Sequence, residues 1–184
     1  MLCPHDYEGK NPKCEFAPHI VTNSWGDDNE IPDVPYYKGQ QRPKCGSVLS
    51  PGDYSNVIGV GATNSTDGLA SFGSRGPGPN NLLKPDVSAP GQRIRSAYIT
   101  SNTGYASLSG TSMATPHVAG AIALLISART GITYDEVYAA LAETKNLVPT
   151  NQTCGGLDDT KYPNNNYGYG RINIFLAAQS RPAC

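Results

Sequence analysis

The stretch Gly110-Thr-Ser-Met-Ala-Thr-Pro-His-Val-Ala-Gly120 decides how this chain is interpreted. It places a hydroxyl side chain, that of Ser112, directly before a segment with helical periodicity. A helix N-terminus carries N–H groups without intrahelical partners and the positive end of the helix dipole. The N–H of Ser112 can therefore help to hold an oxyanion while its hydroxyl attacks a carbonyl carbon. An isolated serine in such a position is usually only an N-cap, so the surrounding sequence must decide between the two roles.

Helices are predicted downstream of this serine. Apolar residues recur with a 3.6-residue period after Pro116, which suits a first helical turn, and Gly131 ends the pattern. Thr133-Tyr-Asp-Glu136 has the form of a capping box and predicts the start of another helix. The predicted helices cover residues 117–129, 134–144 and 174–179.

Strands are predicted mainly upstream of the serine. They cover residues 19–25, 55–63 and 93–98, and the first is expected to be buried and to end at Gly26. Residues 27–54 and 64–91 are rich in Pro, Gly and turn formers, so they are predicted to be irregular. Strands followed by helices favour an α/β fold with a mostly parallel sheet.

Composition excludes several classes of protein. The 184 residues suffice for one domain, and 20 Gly with 15 Pro argue against a helical bundle. A formal net charge of −1 lacks the basic surface expected of a nucleic-acid-binding or electrostatically membrane-docked protein. The longest apolar run, residues 118–126, is far shorter than the ~20 residues of a membrane span. Neither nucleic acid nor a membrane is therefore predicted as a partner.

The stretch around Ser112 resembles the nucleophile segment of the subtilisin-like serine peptidases, the subtilases. Other segments are similar to the same family in the same order, among them Val21-Thr-Asn-Ser-Trp-Gly26 and Lys84-Pro-Asp-Val-Ser-Ala-Pro-Gly91. The remaining similar segments are residues 50–63, 69–77 and 167–173. The resemblance implies a three-layer subtilisin-like α/β fold, with this chain corresponding to the C-terminal part of a catalytic domain and expected to be incomplete.

This resemblance divides the chain and implies site residues. Residues 1–18 are predicted to be an irregular N-terminal segment, 19–179 a partial catalytic domain and 180–184 a C-terminal tail. Ser112 is implied as the nucleophile that forms an acyl-enzyme. The implied substrate-binding residues are Ser24, Trp25, Gly26, Gly110 and Thr111. The backbone of the first three would add a substrate peptide as an extra strand, because an exposed strand edge offers unpaired N–H and C=O groups.

The residues that would activate Ser112 are not evident. A nucleophilic serine needs a base within hydrogen-bond reach and a carboxylate that orients this base. The chain has neither the Asp-Ser/Thr-Gly nor the His-Gly-Thr segment that provides them in the family. His117 is about 140° from Ser112 around a continuous helix, so it is expected to be structural. Counting back from Cys45, the oxyanion amide of the family falls on Gln40, with Asn29 as the alternative.

Three hypotheses remain open. The first is a piece of a secreted serine endopeptidase that is inactive alone, and the second is a non-catalytic module. The partners of either would be polypeptide substrates or protease inhibitors. The third is a small hydrolase in which Asp86 or Lys84 serves Ser112 as the base.

Cofactors are expected to be absent, and no metal site is predicted. Calcium is common in the family, but the one acidic cluster here, Asp27, Asp28 and Glu30, is interpreted as a solvated loop. The five cysteines contain no Cys-x-x-Cys pair and allow 15 ways of drawing two disulfides. A bridge between Cys3 and Cys14 would close a short loop.

Two sequons, Asn64-Ser-Thr66 and Asn151-Gln-Thr153, fit a secreted chain. The parent protein is therefore predicted to be extracellular. The first residues of this chain lack the basic region and apolar core of a signal peptide.

Overall fold

The computed structural model describes residues 10, 14–24, 44–143 and 148–180. Two short 3-10 helices, Cys14–Phe16 and Pro79–Asn81, lie among these residues. The strands are β1 (Val60–Thr63), β2 (Val87–Pro90), β3 (Ile94–Ala97) and β4 (Tyr105–Leu108). The α-helices are α1 (Thr111–Ala128), α2 (Tyr134–Ala142) and α3 (Ile174–Gln179).

The central strands β1 and β2 pair in parallel, with Val60 opposite Val87. Both are buried along most of their length, as expected of parallel strands covered on both faces. The strands β3 and β4 form a separate antiparallel pair, and most of their side chains are exposed. The fold is therefore α/β with a small, partly parallel sheet, where the sequence predicted a mostly parallel one.

The core lies between the parallel strands and α1, which packs against both of them. Ala62, Val87 and Ala89 from the strands meet Val118 and Leu125 from the helix in one apolar cluster. Helices α2 and α3 complete this cluster, and α3 also packs against α1.

Gly91 brings the start of α1 close to the sheet. It follows β2 directly, and its carbonyl accepts a 2.8 Å hydrogen bond from the N–H of Gly110. A Cβ atom at position 91 would lie 2.7 Å from the Cβ of Ala62 and 2.8 Å from the carbonyl oxygen of Gly110. Glycine is therefore required here by close packing, which places the N-terminus of α1 at the carboxyl ends of β1 and β2.

A polar loop over residues 148–168 is hydrogen-bonded through Asn165 to Gly76 and Lys84, which precede β2. Asn164, Asn165 and Asn166 are fully or almost fully buried in it and form hydrogen bonds to surrounding loop groups. The disulfide between Cys45 and Cys154 joins this loop to residues 44–50. Cys14 is also disulfide-bonded. The predicted Cys3–Cys14 bridge involves Cys3, which lies outside the residues the structure describes.

The helix predictions are largely confirmed. The terminal helix has the predicted bounds, and the capping box of α2 is formed by reciprocal hydrogen bonds between Thr133 and Glu136. These bonds from the N–H and hydroxyl of Thr133 lower the pKa of Glu136. Helix α2 ends at Ala142, and the predicted end at residue 144 lies outside the described part of the chain. Helix α1 begins at Thr111 and not at 117, so Pro116 lies inside the helix.

Two strand predictions are wrong. Residues 19–24 form no strand and are largely exposed, with 66% of Val21 accessible, because none of the described strands pairs with them. Strand β2 falls within residues 64–91, which were predicted to be irregular. Pro85 precedes this strand and Pro90 is its last residue, so neither interrupts it. Val87, Ser88 and Ala89 therefore pair with β1.

Helix α1 has a mean hydropathy of 1.3 over its 18 residues, with 22% of that window buried. It is long and apolar enough to cross a membrane by length and composition, a weak criterion that core helices of soluble proteins also meet. The absence of a membrane partner stays a prediction.

Candidate active site

Ser112 lies in the first turn of α1 and forms a reciprocal contact with Ser24. The hydroxyl of Ser112 donates a hydrogen bond to the carbonyl oxygen of Ser24, and the hydroxyl of Ser24 donates to the carbonyl oxygen of Ser112. Both donor–acceptor distances are 3.4 Å, which makes these bonds long and weak. The structure therefore brings together the predicted nucleophile and one predicted substrate-binding residue.

Pro116 explains half of this contact. In a regular helix the carbonyl of Ser112 would accept from the N–H of residue 116, but proline has no N–H. The carbonyl of Ser112 is consequently free to accept from the hydroxyl of Ser24. With any other residue at position 116, the carbonyl of Ser112 would accept a backbone hydrogen bond. With proline there, it accepts from the side chain of Ser24 instead.

Gly110 and Thr111 hold the start of the helix in place. Gly110 is extended, with φ 163° and ψ 161°, and its carbonyl accepts from the N–H of Met113 at 3.0 Å. The carbonyl of Thr111 accepts from the hydroxyl of Thr115 at 3.1 Å. Thr111 and Ser112 both line the cavity described next, whereas the backbone of Gly110 is bonded to Gly91.

An open cavity of about 670 Å³ lies beside Ser112. It is bounded by residues 19–24, by the loop that leads into β1, and by α1 and α2. Apolar side chains such as Ile20, Ile58 and Ile122 line much of its wall, and Ser24 and Ser112 add hydroxyl groups. Its volume falls within the roughly 300–1,000 Å³ that is usual for ligand pockets.

Sequence reasoning missed the contribution of α2 to this cavity. Thr133, Tyr134 and Val137 line it, although the sequence connects none of them with the nucleophile. The sequence signal that could have indicated them is the capping box, because it fixes where α2 begins and thus which of its residues face the cavity.

His117 has a structural contact. Its Nδ1 lies 2.8 Å from the carbonyl oxygen of Met113, so this nitrogen carries the proton and donates. The hydroxyl of Ser112 instead contacts the carbonyl of Ser24. This geometry agrees with the expectation that His117 is not the base.

Lys84 and Asp86 form a buried ion pair, which gives the third hypothesis no support. Their Nζ and Oδ2 atoms are 2.6 Å apart, and 0% and 5% of the two residues are exposed. Lys84 also donates to the carbonyl of Val57 at 2.7 Å. Asp86 accepts from the N–H of Gly59 at 2.7 Å and from the hydroxyl of Tyr138 at 2.8 Å. All these groups are satisfied by one another, so neither residue is placed to take a proton from Ser112.

Tyr138 belongs to the same network. Burial raises the pKa of its hydroxyl, and the hydrogen bond to Asp86 raises it further. The hydroxyl therefore stays protonated and acts as a donor. Lys84, Asp86 and Tyr138 together connect β2 to α2 and to the loop before β1.

Several predicted residues lie outside the part of the chain that the structure describes. These are Trp25, Gly26, Gln40, Asn29, Asp27, Asp28 and Glu30. Within the described ranges, no group of three or more His, Cys, Asp or Glu residues is arranged to hold a metal ion. The oxyanion role of Gln40 and the question of calcium stay predictions.

Comparisons with known proteins agree on one family. A family model described as the subtilase family matches residues 19–170. Bacillopeptidase F of Bacillus subtilis (strain 168) is 33% identical over 199 aligned positions, covering 98% of this chain and 13% of that protein. Subtilisin DY of Bacillus licheniformis is 43% identical over 129 positions, covering 70% of this chain and 39% of that protein.

Solved structures give the same result. The Clostridium perfringens CspB protease matches with a TM-score of 0.62 and 28% identity over 73% of this chain and 29% of that one. The prenylagaramide maturation protease PagA matches with a TM-score of 0.57 and 29% identity, over 73% of this chain and 46% of that one. The chain thus spans 13% of the length of Bacillopeptidase F, 39% of the length of subtilisin DY and less than half of each of the two matched structures. The fold is consistent with an incomplete subtilisin fold, and the chain belongs to the subtilase family.

Proposed function

We propose that this chain carries the nucleophile, Ser112, and part of the substrate cleft of a secreted serine endopeptidase. The observation that supports this proposal is the position of Ser112 in the first turn of α1, at the carboxyl ends of β1 and β2 and beside an open cavity. Ligands of open α/β sheets bind at this edge. The start of a helix also offers backbone N–H groups that lack intrahelical acceptors, and the N–H of Ser112 is one of them.

The proposed reaction is acyl transfer. Oγ of Ser112 attacks the scissile carbonyl carbon while a base takes its proton, and the oxyanion is held by the N–H of Ser112 and by an amide donor, for which Gln40 is proposed. The C–N bond then breaks, the amine leaves with the proton from the base, and water hydrolyses the acyl-enzyme. All of these roles belong to protein groups, so the chemistry needs no cofactor.

The base is the missing component of this reaction. The hydrogen bond of the Ser112 hydroxyl goes to the carbonyl of Ser24, which cannot accept a proton at neutral pH. We infer that segments outside this chain supply the histidine and aspartate. The isolated chain is then expected to show almost no peptidase activity, since removing triad members leaves only residual catalysis.

Two experiments test the proposal. Sequencing the native transcript from end to end should reveal upstream Asp and His segments of the subtilase type. The longer product should react with a fluorophosphonate probe at Ser112, whereas its Ser112→Ala variant and the 184-residue chain should not. A transcript without those segments, or a longer product whose labelling survives Ser112→Ala, would refute the assignment.

A non-catalytic binding module is the second candidate. The reciprocal Ser24–Ser112 contact favours it, because the hydroxyl of Ser112 donates to a backbone carbonyl, which is not an activating base. The proposed ligands are polypeptides or protease inhibitors, held in the cavity beside Ser112. Binding of such a peptide by the purified chain, with an affinity unchanged by Ser112→Ala, would support this candidate. Absence of binding by folded chain would exclude it.

The remaining expectations are proposals of the same kind. We propose that the parent protein acts outside the cell, on polypeptides, and binds neither nucleic acid nor a membrane. Detection of the protein in cell-free culture medium, and its absence from washed membranes, tests the location. The balanced charge supports the exclusion of nucleic acid.

A further inference from the structure

The two Asn-Xaa-Thr triplets of this chain differ in structure. Asn64 is half-buried and directly follows β1. Its Oδ1 accepts hydrogen bonds from the N–H and hydroxyl of Thr66 and from the N–H of Gly68, each at 2.9 Å. The hydroxyl of Thr66, which defines the triplet, is therefore bonded to the asparagine side chain itself.

The amide nitrogen of Asn64 is also crowded. A methyl group placed on Gly68 would lie only 3.0 Å from Nδ2 of Asn64, so the backbone of the turn packs closely against this nitrogen. The turn is closed further by bonds between the backbones of residues 64 and 68 and of residues 64 and 67. A bulky group on this nitrogen would have to open the turn that ends β1.

Asn151 differs from Asn64 because contacts to the neighbouring backbone, and not contacts of its own side chain, fix its position. The carboxylate of Asp159 accepts from the N–H of Thr150 at 2.6 Å and from the N–H of Gln152 at 3.2 Å. The N–H groups on both sides of Asn151 thus converge on one carboxylate. With its φ of 54°, a value that asparagine tolerates, Asn151 presents its side chain to solvent.

The side chains of Asn151 and Thr153, the first and last residues of the second triplet, are both accessible. Asn151 and Thr153 are exposed, and no hydrogen bond joins either side chain to another described residue. The carbonyl of Thr153 lies against Cys45, whose disulfide to Cys154 fixes the end of the triplet. A rigid backbone therefore presents a free amide and a free hydroxyl two residues apart.

We propose that Asn151 carries an N-linked oligosaccharide and that Asn64 does not. Nδ2 of Asn151 attacks the anomeric carbon of a lipid-diphosphate-linked oligosaccharide. A C–N bond forms, the C–O bond to the diphosphate breaks, the lipid diphosphate leaves with the electron pair, and the amide proton passes to a base of the transferase. This proposal rests on the proposed secretion, because the transferase faces a secretory compartment.

The test separates modification from secretion. The full 184-residue chain is translated with an added leader in the presence of microsomes, and protease protection identifies the translocated product. Its mass is compared before and after treatment with peptide N-glycosidase, which converts the modified asparagine to aspartate. The leader ensures entry into the compartment, so a failure of native secretion would not affect this result.

The variants then assign the site. One oligosaccharide is expected on the unchanged chain and on the matched controls Asn64→Gln and Thr66→Val. None is expected on Asn151→Gln or on Thr153→Val, and the latter leaves Asn151 and its backbone contacts in place. An unmodified translocated chain, a second oligosaccharide, or aspartate found at position 64 would overturn the proposal.

Discussion

The buried pair of Lys84 and Asp86 gives the sharpest test of what holds the fold together. Replacing Lys84 by Met keeps most of the side-chain volume and removes the ammonium group. Asp86 then retains only two neutral donors, the N–H of Gly59 and the hydroxyl of Tyr138. Its charge stays buried without a counter-ion, and the carbonyl of Val57 loses its donor as well.

The expected cost follows from this geometry. Removing one partner of a buried ion pair typically costs about 3–5 kcal/mol, because the other charge is left uncompensated. The two remaining donors partly solvate Asp86, so we expect Lys84→Met to lower the free energy of unfolding by about 3 kcal/mol. Asp86→Asn should cost a similar amount. The double variant should cost less than the sum, by roughly 0.5–3 kcal/mol, since no unpaired charge remains.

Urea unfolding followed by far-ultraviolet circular dichroism measures these differences. Lys161→Met serves as the matched control, because Lys161 is exposed and the same substitution there should change stability by at most about 0.5 kcal/mol. A loss below about 1 kcal/mol for Lys84→Met, or strictly additive effects in the double variant, would refute the reasoning.

Three further predictions concern the periphery of the core. Replacing both Cys45 and Cys154 by Ser should cost about 2–5 kcal/mol, because the bridge spans 109 residues of the unfolded chain, and calorimetry under matched conditions measures it. Arg129→Ala should cost about 1–3 kcal/mol and fray α3, whose last carbonyls Arg129 binds, and hydrogen exchange of α3 amides should report this. Burial alone would raise the pKa of Asp159, but hydrogen bonds from residues 150–152 outweigh it and lower the pKa below its ordinary 3.8. The contribution of ionised Asp159 to folding stability is therefore complete above pH 3.8 and is lost as the pH falls through the folded-state pKa. The urea midpoint of Asp159→Asn should accordingly depend less on pH in this acid range than that of the unchanged chain.

Local signals predicted the helices well. The capping box of Thr133 and Glu136 is satisfied within one turn, so its pattern is complete in the sequence. The start of α1 was missed because Pro116 usually marks a first turn. Here the hydroxyl of Ser24, 88 residues away, takes the place of the missing backbone bond, and no local pattern contains that partner.

Strand pairing and the site depended on distant residues. Strand β2 was not predicted because its prolines suggest a loop. The residues of β1 with which it pairs are 27 positions earlier in the sequence, so no local pattern shows the pairing. Residues 19–24 include Ile20, Val21 and Thr22, which favour a strand, but a strand needs a neighbour, and none of the described strands offers one. That Ser112 lies near the start of a helix could be predicted because its whole motif is contiguous, whereas the α2 wall of the cavity is brought to it only by the tertiary fold.

The packing at Gly91 limits which sequences this fold can accept. A side chain there would push on the Gly110 carbonyl, and Gly110 is two residues from Ser112. Displacements of about 1 Å at a catalytic group can reduce a rate about a hundredfold. A substitution at position 91 should thus slow the reaction proposed for Ser112, although the backbone of Gly91 is bonded to Gly110 and not to Ser112. In active members of this family, the position that corresponds to Gly91 should accordingly vary little in sequence. Inspection of the cleft alone would not identify this position.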